Sequence, residues 1–178
     1  MTDLPRIRDA KDEDALDIIE LIGSVFGEYP RCVLDVDGEM PELRKVATYH
    51  REHGGAFWLA ESAGRVVACA GYVAAAAPES ALELKKLYVH RRAREAGLGA
   101  VFVDRVEQRA SEMGKELIEL WSDTRFVTAH RFYEKRGYVR GATTRELHDK
   151  SDTVELYFHK RLVFAQAASA TTVSPERP

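Results

Sequence analysis

The feature that most constrains the fold of this chain is a strand pattern, a glycine-containing turn and a helix start in residues 82–100, LELKKLYVHRRAREAGLGA. A strand that feeds a helix through such a turn leaves backbone N–H groups free at the positive end of the helix dipole. The neighbouring Arg91, Arg92 and Arg94 add fixed positive charge. The segment therefore predicts an anion-binding turn, and it favours a phosphorylated ligand over a neutral one.

Length and charge indicate one globular domain without a general affinity for polyanions. The chain has 178 residues, with 26 basic and 29 acidic side chains, so any basic patch must be local. Neither a bilayer-spanning apolar run nor the apolar stretch of a signal peptide is present. We expect a cytoplasmic protein with a single domain over residues 1–164 and a flexible tail, rich in Ala, Ser, Thr and Pro, over residues 165–178.

The two cysteines and the histidines do not predict a metal site. Cys32 and Cys69 have neither the number nor the spacing of a disulfide framework or a zinc site, and Cys69 lies in a strand-like stretch where a small buried role is expected. His130, His148 and His159 also lack metal-ligand spacing. The sequence suggests no cysteine nucleophile.

Apolar periodicity predicts a mixed order of strands and helices. Acidic residues at 12–14 suit the cap of a first helix, Pro41 opens a second helix that stops at Gly54, and Ala63-Gly64 is typical of a hairpin turn. The predicted order is a short strand at 6–8, two helices, strands at 56–61, 65–75 and 82–89, a helix from 98, a strand at 116–121, a short helix at 128–135, and strands at 138–147 and 153–162.

Within the segment at 82–89 the apolar residues slip out of alternation by one position. They are Leu82, Leu84, Leu87 and Val89. The simplest interpretation is a β-bulge in which Lys85 and Lys86 together oppose one residue of the neighbouring strand. Glu83 and Tyr88 would then share the face opposite the four apolar residues, and the strand would bend.

The order of elements and three local matches resemble the GNAT family of acetyl-CoA-dependent N-acetyltransferases. Residues 94–99, REAGLG, fit the family pattern of Gln or Arg, two residues, Gly, one residue, then Gly or Ala. Residues 84–89, LKKLYV, resemble its bulged strand. Residues 129–138, AHRFYEKRGY, are similar to its signature of Ala, two residues, Phe-Tyr, one residue, Lys, one residue and Gly-aromatic. The resemblance covers residues 5–163 and implies an α/β fold, with a mixed twisted sheet of about seven strands, four helices and a splayed, bulged central strand.

The resemblance also implies where acetyl-CoA binds. Backbone groups of Leu87 and Val89 would pair with the pantetheine arm as an added strand would, and the glycine turn would hold the pyrophosphate. The implied set of cofactor-binding residues is Leu87, Tyr88, Val89, Arg94, Glu95, Ala96, Gly97, Leu98, Gly99, Ala100 and Phe132. The alternative is a tight strand-to-helix connection without a ligand, with Arg91 and Arg92 on a solvated surface.

Two residues carry the expected chemistry. Tyr133 lies where the family usually has a tyrosine facing the cofactor sulfur, and a phenol with a pKa of about 10 suits a leaving thiolate of about 8.5. Glu83 resembles the acidic residue that accepts the acceptor's proton through water. The alternatives are that Tyr133 packs in the interior beside Phe132, and that Glu83 is a surface charge paired with Lys85.

One position departs from the family pattern, and the acceptor site is only outlined. Phe126 stands where family members often have Asn, which puts in doubt a polar contact with the pantetheine arm. By resemblance, the acceptor would lie between a loop and the late strands, and the acidic loop hints at a cationic acceptor unless its charges are simply solvated. The residues concerned are Glu28, Tyr29, Arg31, Asp35, Asp37 and Glu39 on one side and Arg145, Glu146 and His148 on the other.

We therefore expect transfer of acetyl from acetyl-CoA to a primary amine by direct attack in a ternary complex. The acceptor would be a small-molecule or peptide amine, with no nucleic acid or membrane as partner, and the resemblance leaves a homodimer open. Three alternatives remain: a non-catalytic acyl-CoA-binding sensor, a nucleotide-binding module of another fold, and an enzyme that acylates a hydroxyl or transfers a longer acyl group.

Overall fold

The structure is a computed structural model that describes residues 5–163, so the predicted tail at 165–178 lies outside the described residues. Within them the chain forms seven strands, four α-helices and three short 3₁₀ turns. The strands are β1 (Arg6–Asp9), β2 (Ala56–Ser62), β3 (Arg65–Ala74), β4 (Ala81–Val89), β5 (Leu117–Asp123), β6 (Val139–Glu146) and β7 (Val154–Arg161). The helices are α1 (Ala15–Phe26), α2 (Val46–Glu52), α3 (Leu98–Glu112) and α4 (Val127–Lys135), and the turns are Asp12–Asp14, Pro41–Lys45 and Arg91–Ala96.

All seven strands form one sheet in the order β1-β2-β3-β4-β5-β7-β6. β4 and β5 are parallel, and the other neighbours are antiparallel. The α/β fold with a mixed sheet that the resemblance implied is confirmed, including the number of strands and α-helices.

The two faces of the sheet are covered differently. Apolar residues of α3 and α4 bury one face, together with Leu82, Ile118 and Phe158. Helices α1 and α2 pack on β2, β3 and β4 on the other face. On that second face of β5 and β7, Trp121 and Tyr157 pack against each other, with ring centroids 5.1 Å apart. On this second face, α1 and α2 thus cover β2, β3 and β4, whereas on β5 and β7 the side chains of the strands pack against each other.

The bulge in β4 lies one residue later than the sequence predicts. Tyr88 is opposite Cys69 and Lys85 is opposite Gly71, so Lys86 and Leu87 together oppose the single residue between them. Lys86 takes a left-handed backbone conformation, with φ 54°. The apolar pattern does not distinguish the two positions, since Leu84 and Leu87 lie on the same face in either case. The Lys86 ammonium pairs with Glu42 at 2.8 Å.

The consequence for side-chain direction is nevertheless the one predicted. The apolar residues on both sides of the bulge pack against the α3 side of the sheet, while Tyr88 packs against the α1 side. Glu83 alternates with Leu82 and Leu84 and therefore shares the face of Tyr88.

The parallel pairing of β4 with β5 is short. Ala81, Leu82 and Glu83 pair with the first three residues of β5, and beyond Glu83 no paired position joins the two strands. The rest of β4 and the last four residues of β5 therefore turn unpaired edges toward each other, which confirms the splayed central strand. A ligand-sized gap opens between them.

Candidate active site

The gap between the splayed strands forms a cavity of about 440 Å³. β4 lines one side of it, β5 lines the other, and residues at the starts of α3 and α4 also line it. The unpaired edges of β4 and β5 thus lie in the wall of the cavity, where an extended molecule could use their backbone groups.

The glycine turn forms one end of the cavity. Gly97 has φ 72°, a left-handed conformation that glycine adopts without strain. α3 begins at Leu98, so its first N–H groups have no partner within the helix. Gly99 faces Phe132, and a Cβ at Gly99 would lie 3.4 Å from that ring. Glycine at both positions therefore lets another chain or a ligand approach the backbone at the positive end of α3.

Arg94 links this turn to the loop after α1. Its guanidinium makes two hydrogen bonds with the carboxylate of Glu28, at 2.7 and 2.8 Å, and its Nε donates to the Val89 carbonyl at 3.2 Å. Arg94 lines the cavity. The cation predicted to bind a pyrophosphate is thus held at the cavity wall by an acidic residue of the protein.

Most of the predicted cofactor-binding residues line the cavity. These are Leu87, Tyr88, Val89, Arg94, Gly97, Gly99, Ala100 and Phe132. Glu95, Ala96 and Leu98 are not among the lining residues, and the side chain of Leu98 belongs to the core instead. Any role of these three in binding would therefore depend on their backbone.

Tyr133 lies in the cavity wall on α4. Its side chain is almost completely buried against Tyr138 and Phe158, with ring centroids 5.8 and 5.9 Å away. Its hydroxyl makes no hydrogen bond with any residue of the described part of the chain, and burial raises its pKa above that of a free phenol. The group is therefore protonated at neutral pH.

Glu83 lies outside the cavity lining. Its carboxylate pairs with Lys85 at 2.9 Å, at the last position where β4 and β5 are paired. The sequence had left this ion pair open as the alternative to a catalytic role. Any contact between Glu83 and a molecule in the cavity would require an intervening water.

Phe126 places an aromatic ring in the cavity lining at the position where family members often have the side-chain amide of Asn. Its ring lies 4.7 Å from that of Tyr29 and 6.2 Å from that of Phe26, measured between centroids. Phe26 in turn contacts Tyr88 edge to face at 5.8 Å. The end of the cavity away from the glycine turn is therefore bounded by aromatic rings from three segments of the chain, the end of α1, β4 and the residue before α4.

The acidic loop after α1 is docked on the turn between β6 and β7. Asp35 pairs with Lys150 at 2.5 Å, and Glu39 accepts a hydrogen bond from the Lys150 backbone at 2.7 Å. Asp37 pairs with Arg44. The carboxylates that the sequence grouped as a hint of a cationic acceptor are thus used in contacts within the protein.

Three carboxylates that sequence reasoning missed line the cavity, namely Asp123, Asp149 and Glu155. Asp123 and Glu155 are directly opposite each other on the antiparallel strands β5 and β7. Trp121, also missed, lies one step along on the same face. Their proximity depends on the pairing register of strands about thirty residues apart, and no local motif of the sequence signals it.

Two further properties of the described residues bear on the class of protein. No helix between residues 5 and 163 is long and apolar enough to cross a membrane. Over the same range, no group of three or more His, Cys, Asp or Glu side chains is arranged to hold a metal ion.

Known proteins share this architecture. The Acetyltransferase (GNAT) family matches residues 19–138. A GNAT-family acetyltransferase from Staphylococcus aureus Mu50 superposes with a TM-score of 0.76 at 22% identity, over 89% of this chain and 99% of that one. YncA from Salmonella typhimurium, solved with its cofactor acetyl-CoA, gives 0.69 at 18% identity, over 94% and 99%. The ribosomal-protein-alanine N-acetyltransferase from Brucella melitensis gives 0.68 at 19% identity, over 88% and 99%. A search of curated proteins found no significant match.

The fold and the splayed cavity define an acyltransferase-type α/β enzyme. The family match covers well over half of the chain, and the chain therefore belongs to the GNAT acetyltransferase family. The family prediction made from the three local motifs is confirmed.

Proposed function

We propose that the protein transfers an acetyl group from acetyl-CoA to a primary amine by direct attack in a ternary complex. The observation that carries this proposal is the loss of β4–β5 pairing after Glu83, which opens a cavity lined by the glycine turn at one end and by Tyr133 in its wall. The solved structure of YncA with its cofactor acetyl-CoA supports the choice of donor.

The residues present suit the two parts of coenzyme A. The free edge of β4 at Leu87 and Val89 offers backbone groups to an amide-bearing arm. The free N–H groups at Leu98, Gly99 and Ala100, with Arg94 beside them, suit a pyrophosphate. When bound, acetyl-CoA would supply an activated acetyl group as a thioester.

Tyr133 would protonate the departing thiolate. Its pKa is raised by burial, so it holds its proton until a base of sufficient strength forms next to it. A thiolate whose conjugate acid has a pKa of about 8.5 accepts a proton from a phenol only when the two groups are close and shielded from water, as in this cavity.

Glu83 would accept the acceptor's proton through water. Its carboxylate is paired with Lys85, and it lies on the same face of β4 as Tyr88, which lines the cavity. In the reaction the acceptor ammonium first loses one proton through water toward Glu83. The neutral amine nitrogen then bonds to the acetyl carbon, the carbon–sulfur bond breaks and the Tyr133 proton moves to sulfur. The second nitrogen proton leaves through water and restores the proton that Tyr133 lost.

Direct attack fits the state of the two cysteines. Cys69 is fully buried, its thiol donates a hydrogen bond to the Lys86 carbonyl, and burial raises its pKa to about 12. Burial also raises the pKa of Cys32. Neither thiol is set up as a thiolate that could carry the acetyl group.

The test is an acceptor screen. Acetyl-CoA is incubated with the protein and with amino acids, polyamines, aminoglycosides, simple amines and peptide N-termini, and thiol release and acetylated product are measured. We expect acetyl-CoA to raise the melting temperature and at least one amine to raise thiol release above hydrolysis. Binding without any amine-dependent release would instead indicate an acyl-CoA sensor.

A further inference from the structure

We propose that Glu155 binds the ammonium group of the acceptor and so determines where the amine lies before attack. This inference rests on the proposed function, and it concerns a residue that none of the three family motifs contains. It begins from the charged side chains that line the cavity, most of which are fully engaged with partners in the protein.

The two cations in the cavity wall are paired. Lys86 contacts Glu42 at 2.8 Å, and Arg94 contacts Glu28 at 2.7 Å. Although burial acts in the opposite direction, Lys86 holds the pKa of Glu42 below its usual value. Glu42 is therefore ionised and tied to its lysine.

Asp123 is fully occupied by one arginine. Its Oδ1 accepts hydrogen bonds from the Arg125 backbone N–H and Nε at 2.8 and 2.9 Å, and its Oδ2 accepts from Nε and Nη2 at 3.0 and 2.6 Å. The side chain of Asp123 is 7% exposed. A bidentate pair of this kind leaves little capacity for an incoming ammonium.

Asp149 belongs to the turn that it stabilises. Its Oδ1 accepts a hydrogen bond from the Thr153 backbone at 2.8 Å. Although burial acts in the opposite direction, contacts with Thr153 and Ser151 lower the pKa of Asp149. Its carboxylate closes the β6–β7 turn, and a ligand that took it over would have to open that turn.

Glu155 differs from Asp123 because one of its oxygens is left over, and from Asp149 because it lies on a paired strand and closes no turn. Its Oε2 accepts from Arg145 Nε at 2.5 Å, whereas Oε1 makes no hydrogen bond with any residue between 5 and 163. The arginine is itself fixed, since its guanidinium carbon lies 4.3 Å from the ring centroid of Trp121. Glu155 therefore lines the cavity from a paired strand, and Arg145 occupies only one of its two carboxylate oxygens.

Glu155 also faces the centre where the chemistry is proposed. Glu155, Tyr88 and Tyr133 all line the same cavity. Burial is the main cause of the raised pKa of Tyr88, and the negative charge of Glu155 adds to it. An amine held at Oε1 would stand on the Tyr88 side of the cavity, within the space that Tyr133 also lines.

The prediction is a separation of substrate binding from catalysis. With 2-phenylethylamine, 1,5-diaminopentane and trialanine as probes, Glu155→Gln should raise the KM of the accepted amine at least tenfold. It should change kcat less than threefold and leave the Kd of acetyl-CoA unchanged. Glu83→Gln should do the reverse and lower kcat with little change in KM. Glu52→Gln, which removes an exposed carboxylate at the end of α2 and away from the cavity lining, is the matched control and should change neither parameter.

A second variant tests whether a raised KM comes from the lost carboxylate or from general disruption of the site. Arg145→Gln frees the second oxygen of Glu155, and the KM of the amine should stay the same or fall. The proposal is overturned if Glu155→Gln lowers kcat at unchanged KM, if it leaves both parameters unchanged, or if Arg145→Gln raises KM as much as Glu155→Gln does. If none of the amines in the wider screen is acetylated by the wild-type protein, the proposed function itself is wrong, and that outcome is distinct from these.

Discussion

The two ends of the cavity are built in different ways. At the glycine turn, the wall consists largely of backbone: the free N–H groups of α3, the edge of β4, and glycines that let another group approach. At the other end, the wall consists of side chains from α1, β5, β7 and two loops, with Phe126 packed on Tyr29. A backbone end suits a ligand that all family members share, whereas a side-chain end can differ from one member to the next without altering the fold.

The largest expected effect is at Tyr133, which lies between the two ends. Tyr133→Phe removes the proposed acid and keeps the ring, so kcat should fall at least about 100-fold. The Kd of acetyl-CoA should stay within twofold, because the ring still packs on Tyr138 and Phe158. Stopped-flow thiol release and calorimetry measure the two quantities, and unchanged turnover would remove Tyr133 from the mechanism.

A pH titration probes the packing of α2 on the sheet, away from both ends of the cavity. His50 is fully buried, and burial lowers its pKa to about 4 from an ordinary 6.5. The unfolded chain therefore binds this proton between pH 6.5 and 4 while the folded protein does not, so stability is lost as pH falls through that window. The loss should reach about 3 kcal/mol. Urea unfolding at several pH values measures it, and His50→Met should lack this part of the pH dependence.

A graded series at Gly99 tests the backbone end. Gly99→Ala places a Cβ about at contact with Phe132, and Gly99→Val adds branches that the ring must make room for. We expect the Kd of acetyl-CoA to rise at least about tenfold for Val, which is about 1.4 kcal/mol, and less for Ala. The amine KM should stay constant in both. Gly23→Ala is the control, since its Cβ would meet Leu34 at an ordinary 3.7 Å. Equal losses at donor and acceptor would show that the two ends are not independent.

The smallest expected effect is at the ion pair that joins the ends. Glu28 occupies the guanidinium of Arg94 that a pyrophosphate would use. Glu28→Gln removes this internal competitor, so acetyl-CoA should bind more tightly. Because a partly exposed ion pair contributes at most about 1 kcal/mol, the Kd should fall by no more than about fivefold. A weaker complex would mean that Glu28 supports the cofactor site instead of competing for it.

The contrast between local backbone features and side chains brought together from distant segments also explains what the sequence could predict. The glycine turn, the hairpin at Ala63-Gly64 and the order of helices and strands along the chain depend on contiguous patterns, and the structure has them as expected. The bulge was misplaced by one residue because the apolar pattern places Leu84 and Leu87 on one face whether residues 85 and 86 or residues 86 and 87 form the bulge. Glu155 was missed because its place in the cavity depends on the register of β7 against β5.

The short pairing between β4 and β5 has a consequence for the protein before it meets any substrate. A central sheet normally gains cooperativity from a continuous ladder, and here that ladder is interrupted after Glu83 in the middle of the fold. An extended ligand would supply hydrogen bonds that the unpaired strand edges lack. The resistance of the protein to unfolding and proteolysis should therefore rise with the concentration of the acyl donor. The abundance of the folded enzyme would then follow the supply of its acyl donor, and the sheet itself would act as a sensor of that supply.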